Sequence, residues 1–134
     1  MELPDIVKGD ESLYRVVKRS RRDCLTRAGQ ATIALFKDSN GVSVDRDGGR
    51  QEVEIIKFIV TESFPKRAKG VTVVLAGCCF DVNAEVTPAS STNNPYHANI
   101  FMSDNEKVRK VQALKIADSS KLIYFDEEME WVDI

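Results

Sequence analysis

The sequence predicts an α+β domain, in which a mainly antiparallel sheet of about five or six strands carries two helices packed on it. Most apolar segments are short, rich in β-branched residues and bounded by turn residues, which is typical of strands. Two longer segments carry apolar residues at intervals of three and four, which is typical of helices. Short polar connections separate most of the strand segments, and they favour hairpins over the long crossovers of a parallel sheet.

The amino-terminal half begins with a strand and a predicted hairpin. "LYRVV" (residues 13–17) contains β-branched and aromatic residues and is predicted to form the first strand. "ATIALF" (31–36) and "VSVDR" (42–46) flank "KDSNG", whose Asn40-Gly41 pair favours the positive φ of a tight turn. These two segments are therefore predicted to pair as a β-hairpin.

The segment "RQEVEIIKFIVTESF" (50–64) is predicted to be a helix that ends just before Pro65. A strand is the competing interpretation, because residues 55–60 are almost continuously apolar and largely β-branched. Spacings of three, four and four define the expected buried stripe of the helix, which consists of Val53, Ile56, Val60 and Phe64.

Four further strands are predicted in the second half of the chain. "GVTVVLAG" (70–77) is bounded by glycines and is typical of a buried strand. "AEVTP" (84–88) and "HANIFM" (97–102) are expected to pair in an antiparallel manner across a polar loop. "KLIYF" (121–125) is the last predicted strand.

The second predicted helix begins at Ser103 and Glu106, which fit the S-x-x-E capping box. In the acidic tail after the last strand, Trp131 and Ile134 are apolar and are expected to dock the tail onto the body of the domain. The expected buried face of the helix consists of Val108, Val111, Leu114 and Ala117.

The chain has 134 residues, of which 43% are hydrophobic and 30% are charged. This size and composition predict a single globular domain over residues 1–134. No apolar run approaches the length of about 20 residues that a membrane-spanning helix needs, and the first residues lack the basic and apolar parts of a signal peptide. The expected location is therefore the cytoplasm, without membrane contact.

The three cysteines and the single histidine do not form a recognisable metal site. They lack C-x-x-C spacing and cannot complete the usual ligand sets of zinc, and no phosphate-loop or dinucleotide motif is present, so neither a metal nor a cofactor is expected. The adjacent Cys78 and Cys79 do not readily bridge each other and are interpreted as reduced core residues. Cys24 is interpreted as the more exposed thiol.

His97 is one candidate catalytic residue. It follows Pro95-Tyr96 where a polar loop meets a predicted strand, and an intrinsic pKa of about 6.5 suits a general base. The competing and favoured interpretation is structural, with the ring nitrogens bonding the loop, because no Ser or Cys partner can be placed beside His97 from the sequence.

A basic segment follows the first strand, although the net charge of the chain is −2. That overall charge gives no general support for nucleic-acid binding. Arginines bind oxyanions through paired hydrogen bonds, so an anionic small molecule or a protein partner is one interpretation, whereas the competing and favoured interpretation is a solvated loop or pairing with the acidic tail. The candidate ligand-binding residues are Arg15, which is expected to be buried in a strand, and Arg19, Arg21 and Arg22.

Taken in order, "LYRVV", "ALFKDSNGVSVDR" and "NNPYHANI" resemble a group of small bacterial proteins with the loose pattern LYR-x-V, AF-K-x-x-GxSVDR and NPxHAxI. That resemblance implies no particular activity. The chain also has a more distant resemblance to ADP-ribosyltransferases of the Arg-Ser-Glu type, which place an arginine on an early strand, a serine on a later strand and a glutamate after that. Arg15, Ser43 and Glu54 occur here in that order, although Ser43 is followed by Val-Asp where the family has Thr-Ser.

Two functions remain open at this point. The first is a small, non-enzymatic, cytoplasmic binding or accessory protein of bacterial type, with mobile or defence-related DNA as one genetic setting. The second is an enzyme acting on a nucleotide or phosphorylated ligand, similar to ADP-ribosyltransferases, with Arg15, Ser43 and His97 as its catalytic candidates. The enzyme requires these three residues to converge on one pocket. The oligomeric state is also open, and a homodimer through an edge strand is one alternative.

Overall fold

The computed structural model describes residues 3–132, and six strands of this part form an antiparallel sheet, which confirms the predicted α+β class. Their order across the sheet is β4-β5-β2-β1-β3-β6. The strands are β1 (Ser12–Lys18), β2 (Val42–Arg46), β3 (Ala68–Leu75), β4 (Glu85–Pro88), β5 (His97–Phe101) and β6 (Lys121–Phe125).

The helices of the described part vary in length from one turn to four. The longest, α4, packs beside α1 and α3 on one face of the sheet. Its neighbour in the sequence, β6, follows it after a single residue. The helices are α1 (Ile33–Phe36), α2 (Glu52–Phe58), which continues as a π-helical turn (Ile59–Ser63), α3 (Ala76–Phe80) and α4 (Glu106–Ser119).

The sheet has a different environment on each face. Side chains alternate along β1, so Leu13 and Val17 lie in the main core under α1, α3 and α4, whereas Tyr14 and Val16 lie in a smaller core under α2. The smaller core takes its sheet residues from β1, β3 and β6. On the same face, the π-helical turn reaches β2 and lines a cavity with it, whereas Ser43 of β2 is exposed.

The predicted hairpin between residues 31–36 and 42–46 is wrong at its first segment. Ala31 forms an isolated bridge with Leu25, and the chain then turns into α1, which packs against α4. Both edges of β2 are already paired, one with β1 and one with β5, so no edge remains for residues 31–36. Leu35 and Phe36 are instead buried in the main core.

The expectation that most neighbouring strands are joined by hairpins is also wrong. Only the pairs β1-β2 and β4-β5 are neighbours both in the sequence and in the sheet. Once β1 has paired with β2, β3 pairs with the other edge of β1, and β5 with the other edge of β2. The first two strands therefore lie at the centre of the sheet, and the later strands lie on either side of them.

The predicted helix over residues 50–64 is confirmed as α2 with its π-helical continuation, but the expected buried stripe is correct only in its last two residues, which are partly buried against the smaller core. Ile55 and Ile59 are buried, whereas Val53 is 72% exposed. Apolar residues occur as adjacent pairs in these turns, because Ile56 follows Ile55 and Val60 follows Ile59. The sequence pattern alone cannot decide which member of each pair contacts the sheet.

Helix α4 begins two residues later than the capping box predicts, because Asn105 caps it in place of Ser103. The Asn105 side chain accepts a hydrogen bond from the Val108 N–H at 3.1 Å. Gln112 faces inward, because its side chain bonds the Ser103 N–H and the Val82 carbonyl, each at 2.8 Å. The expected buried face is therefore correct only for Ala117, and the observed one consists of Gln112, Ala113, Ile116 and Ala117.

The remaining strand predictions are confirmed as β1, β3, β4, β5 and β6, and β4 pairs with β5 as expected. In the tail, Trp131 packs against the main core and lies 6.3 Å from Phe125, measured between ring centroids. The Val132 N–H donates to the Arg19 carbonyl at 2.9 Å. The expected docking of the tail is thus confirmed for Trp131, whereas Ile134 lies outside the described residues.

Candidate functional site

Ser43 and His97, two of the three catalytic candidates, line one cavity between the sheet and the π-helical turn. His97 is the first residue of β5 and is paired directly with Asp45 of β2. Ser43 lies two residues before Asp45 on the same strand, so the side chains of Ser43, Asp45 and His97 all point to the same face of the sheet. The cavity has a volume of about 160 Å³ and is called the polar groove here; its walls also include Tyr14, Ser63 and Phe64.

Asp45 is a buried acid in the polar groove, with 8% of its surface exposed. Its Oδ1 accepts a hydrogen bond from the Asn94 side chain at 2.9 Å, whereas Oδ2 is buried without a partner among residues 3–132. Burial raises the pKa of the Asp45 carboxyl, although the hydrogen bond from Asn94 and the charges of Arg50 and His97 oppose this shift. The polar groove therefore contains an acid that is costly to ionise.

The substitution D45N should make stability respond differently to pH. A raised pKa means that the folded chain binds a proton more tightly than the unfolded chain, so wild-type stability falls as pH rises through that pKa. On acidification from about pH 7 to about pH 4, the wild type should therefore gain stability relative to D45N. Urea unfolding at several pH values measures this difference, and D118N, at an exposed position on α4, serves as the control. A relative loss of wild-type stability on acidification would contradict the raised pKa.

Arg15, the third catalytic candidate, points to the opposite face of the sheet. Its Nε donates to the Leu35 carbonyl at 3.1 Å, and its Nη1 donates to the Ser43 carbonyl at 2.9 Å. Burial lowers the pKa of the Arg15 guanidinium. A buried charge was expected to need a partner, and the partners of Arg15 are backbone carbonyls. These two hydrogen bonds attach α1 and β2 to β1.

The three catalytic candidates consequently do not converge on one pocket. The structure brings Ser43 and His97 to the polar groove and adds Asp45, but it leaves Arg15 in the main-core layer. Glu54, the third residue of the Arg-Ser-Glu order, is exposed on helix α2.

The other candidate ligand-binding arginines lie in three different environments. Arg21 forms an ion pair with Asp23, with 3.1 Å between Nε and Oδ1. Arg22 lines a cavity together with Trp131 of the tail. Arg19 lines a separate cavity together with Lys66 and Arg67. The basic segment is therefore not a single binding surface.

Arg19 belongs to a cavity of about 520 Å³ that contains four cations and is called the basic pocket here. Two segments distant in sequence meet there, because the end of β1 lies beside the start of β3 in the sheet. One segment consists of the last residue of β1 and the two residues after it, and the other is the turn between the π-helical turn and β3. The residues that line the basic pocket are Lys18, Arg19, Ser20, Lys66, Arg67 and Val132.

The positive charges in the basic pocket are not neutralised by carboxylates of the described part. None of its four cations forms an ion pair within residues 3–132. The pKa of Lys18 is lowered, first by burial and then by repulsion from Arg15, Arg67 and Arg21. The Nε of Arg19 is buried and lacks a hydrogen-bond partner in the same part of the chain. The uncompensated cations therefore give the basic pocket a positive field.

Sequence reasoning missed Lys66, Arg67 and Asp45. Lys66 and Arg67 occur in "FPKRAKG", whose charges gave a local signal, but only the pairing of β1 with β3 brings them to Arg19. Asp45 was part of an alternating strand pattern, in which it would be expected to face solvent. The covering turn after α2 buries it instead.

The cysteines are correctly expected to be unpaired, and the interpretation of Cys79 as a core residue is confirmed. Cys24 is buried with 3% exposure and packs in the main core, so its interpretation as the more exposed thiol is wrong. Cys78 is only partly buried, and Cys79 is fully buried, which raises the pKa of Cys79 to about 12.

No protein-family model matches the chain, and no curated protein or solved structure matches it. Within residues 3–132, none of the helices has the length and apolar character that crossing a membrane requires. The same part of the chain contains no cluster of three His, Cys, Asp or Glu side chains arranged to hold a metal ion.

Proposed function

We propose that this chain is a small binding protein that recognises a phosphate-bearing ligand in the basic pocket. The observation that carries this proposal is the convergence of Lys18, Arg19, Lys66 and Arg67 on one cavity, without a carboxylate in its described lining. Like charges held close together repel one another, and a bound anion relieves that repulsion while accepting hydrogen bonds from the same groups.

The backbone of the basic pocket supports this proposal because it holds the two cationic segments in a fixed relation. The Arg19 N–H donates to the Arg67 carbonyl at 2.8 Å, and the Arg19 Nη1 donates to the Lys66 carbonyl at 3.3 Å. Phe64 lies beneath two of the cations, 5.5 Å from the Lys18 Nζ and 5.2 Å from the Arg67 Cζ, measured to its ring centroid. A ligand would therefore meet cations that are already positioned.

The wider setting that we propose is a bacterial accessory protein of the cytoplasm. Its three unpaired thiols suit a reducing compartment. The chain's partner would be the molecule that carries the phosphate group. We also propose that the gene lies on mobile or defence-related DNA, and this part of the proposal rests only on the resemblance of the chain's motifs to those of small bacterial proteins.

The enzyme alternative is less well supported, because it assigned the anion to Arg15. That guanidinium already bonds two backbone carbonyls on the face opposite to Ser43 and His97. An enzyme would have to bind its anion elsewhere, and the basic pocket shares no lining residue with the polar groove. A binding protein, by contrast, does not need the basic pocket to lie beside Ser43 and His97.

Calorimetric titration with inorganic pyrophosphate tests the proposal. The substitution R67A should weaken pyrophosphate binding about tenfold, which equals about 1.4 kcal/mol, because it removes one charge-assisted donor from the basic pocket. Arg67 is exposed and its backbone bonds remain, so the variant should still fold. Added salt should weaken the wild-type affinity, since the interaction is between exposed charges.

The matched control is K107A, which removes an equally exposed cation from α4. K107A should bind pyrophosphate as the wild type does. Equal weakening by R67A and K107A would show that only net charge matters, and an absence of saturable binding to the wild type would reject the phosphate site.

A further inference from the structure

A third cavity, which Arg22 and Trp131 line, has a volume of about 610 Å³ and lies between the loop after β1 and the tail; we call it the aromatic pocket. Its volume is within the range of roughly 300 to 1,000 Å³ that is common for small-molecule sites. The aromatic pocket shares no lining residue with the basic pocket. Its apolar walls are Leu25, Leu122, Phe125 and Trp131.

Both sides of the aromatic pocket are held in place before any ligand binds. On the loop side, the Thr26 N–H donates to the Gln30 carbonyl at 2.8 Å, and the Gln30 side chain donates to the Ala117 carbonyl at 2.8 Å. On the tail side, the Lys69 Nζ donates to two backbone carbonyls, those of Asp126 and Met129. Because the walls of the cavity are already ordered, little conformational entropy is lost when a ligand binds.

The charged residues around the aromatic pocket favour an anion. Arg22 and Arg27 both line it, and neither forms an ion pair within residues 3–132. Glu127 also lines the cavity and offsets one of these charges, so the lining has a net positive charge. Flat rings on one wall and guanidinium groups on another suit a ligand with an aromatic and an anionic part.

We propose that the aromatic pocket is a binding site for a small planar aromatic ligand that carries a carboxylate or similar anionic group. The ring of the ligand packs against Leu122, Phe125 and Trp131. The anionic group lies toward Arg22 and Arg27. This site is independent of phosphate recognition in the basic pocket.

The test uses two matched probes, 2-naphthoate and its neutral amide, 2-naphthamide. Trp131 is the single tryptophan of the chain, so its indole N–H gives one resonance in a ¹H–¹⁵N spectrum. Titration with 2-naphthoate should shift that resonance in a saturable manner. The carboxylate should bind about fivefold more tightly than the amide, because its charge interacts with exposed arginines.

Three variants identify the groups responsible. The double variant R22A/R27A should lose the preference for 2-naphthoate over 2-naphthamide. R21A should keep it, because Arg21 is paired with Asp23, and R67A should keep it, because Arg67 belongs to the basic pocket. The proposal is overturned if the indole resonance shows no saturable shift, if the two probes bind equally well, or if R67A rather than R22A/R27A removes the preference.

Discussion

Replacement of Arg46 by methionine should lower the free energy of unfolding by about 3 kcal/mol. The Arg46 side chain is 2% exposed and forms two bonds to Glu11, Nε to Oε1 at 2.9 Å and Nη2 to Oε2 at 3.1 Å. Its Nη1 donates to the Pro4 carbonyl at 2.7 Å, which attaches the segment before β1 to the sheet. Methionine would leave the mostly buried Glu11 carboxylate without a cation. Urea unfolding measures the loss.

Two further variants make the Arg46 result specific. R27M removes an exposed arginine and should stay within about 0.5 kcal/mol of the wild type. The double variant E11L/R46M should be more stable than R46M alone, because it removes both charges together. A loss below about 1 kcal/mol for R46M would mean that the buried ion pair contributes little to stability.

Replacement of Lys69 by methionine should detach the tail and lower the free energy of unfolding by about 1.5 to 3 kcal/mol. Lys69 is 3% exposed, and its ammonium group donates to the carbonyls of Asp126 and Met129. The same group lies 4.4 Å from the Phe125 ring centroid and 5.5 Å from that of Trp131. Methionine has a similar length but cannot donate these bonds. Trp131 emission should therefore move to longer wavelength.

The control for Lys69 is K121M, which replaces an exposed lysine on the neighbouring strand β6. K121M should leave both the emission of Trp131 and the unfolding free energy close to wild type. If K69M unfolds at the wild-type urea concentration and keeps the wild-type emission, Lys69 does not hold the tail.

The fold was predictable where a local sequence pattern is compatible with a single type of secondary structure. The strands around Leu13 and His97 have clear turn boundaries, and both form as expected. The apolar segment that ends at Phe36 was misread because its partner depends on which edges of β2 remain free. In α4, Val111 was expected to be buried, but Gln112 takes that place through hydrogen bonds that only the tertiary structure supplies.

The candidate sites were predictable in part. Placing His97 at a loop-to-strand junction was correct, and so was placing Arg15 within a strand. The sequence could not show that Arg15 and His97 point to opposite faces, because that depends on the register of two strands that are separated by β2. For the same reason, Arg67 could not be associated with Arg19 before the pairing of β1 and β3 was known.

Mapping the binding of inorganic pyrophosphate by ¹H–¹⁵N chemical shifts tests phosphate recognition most directly. We predict saturable shifts centred on the amides of residues 18–20 and 66–67, which frame the basic pocket. The same titration of R67A should show these shifts only at higher pyrophosphate concentrations. Saturable shifts centred instead on Asp45 and His97, or no saturable shifts at all, would contradict the assignment of the phosphate site to the basic pocket.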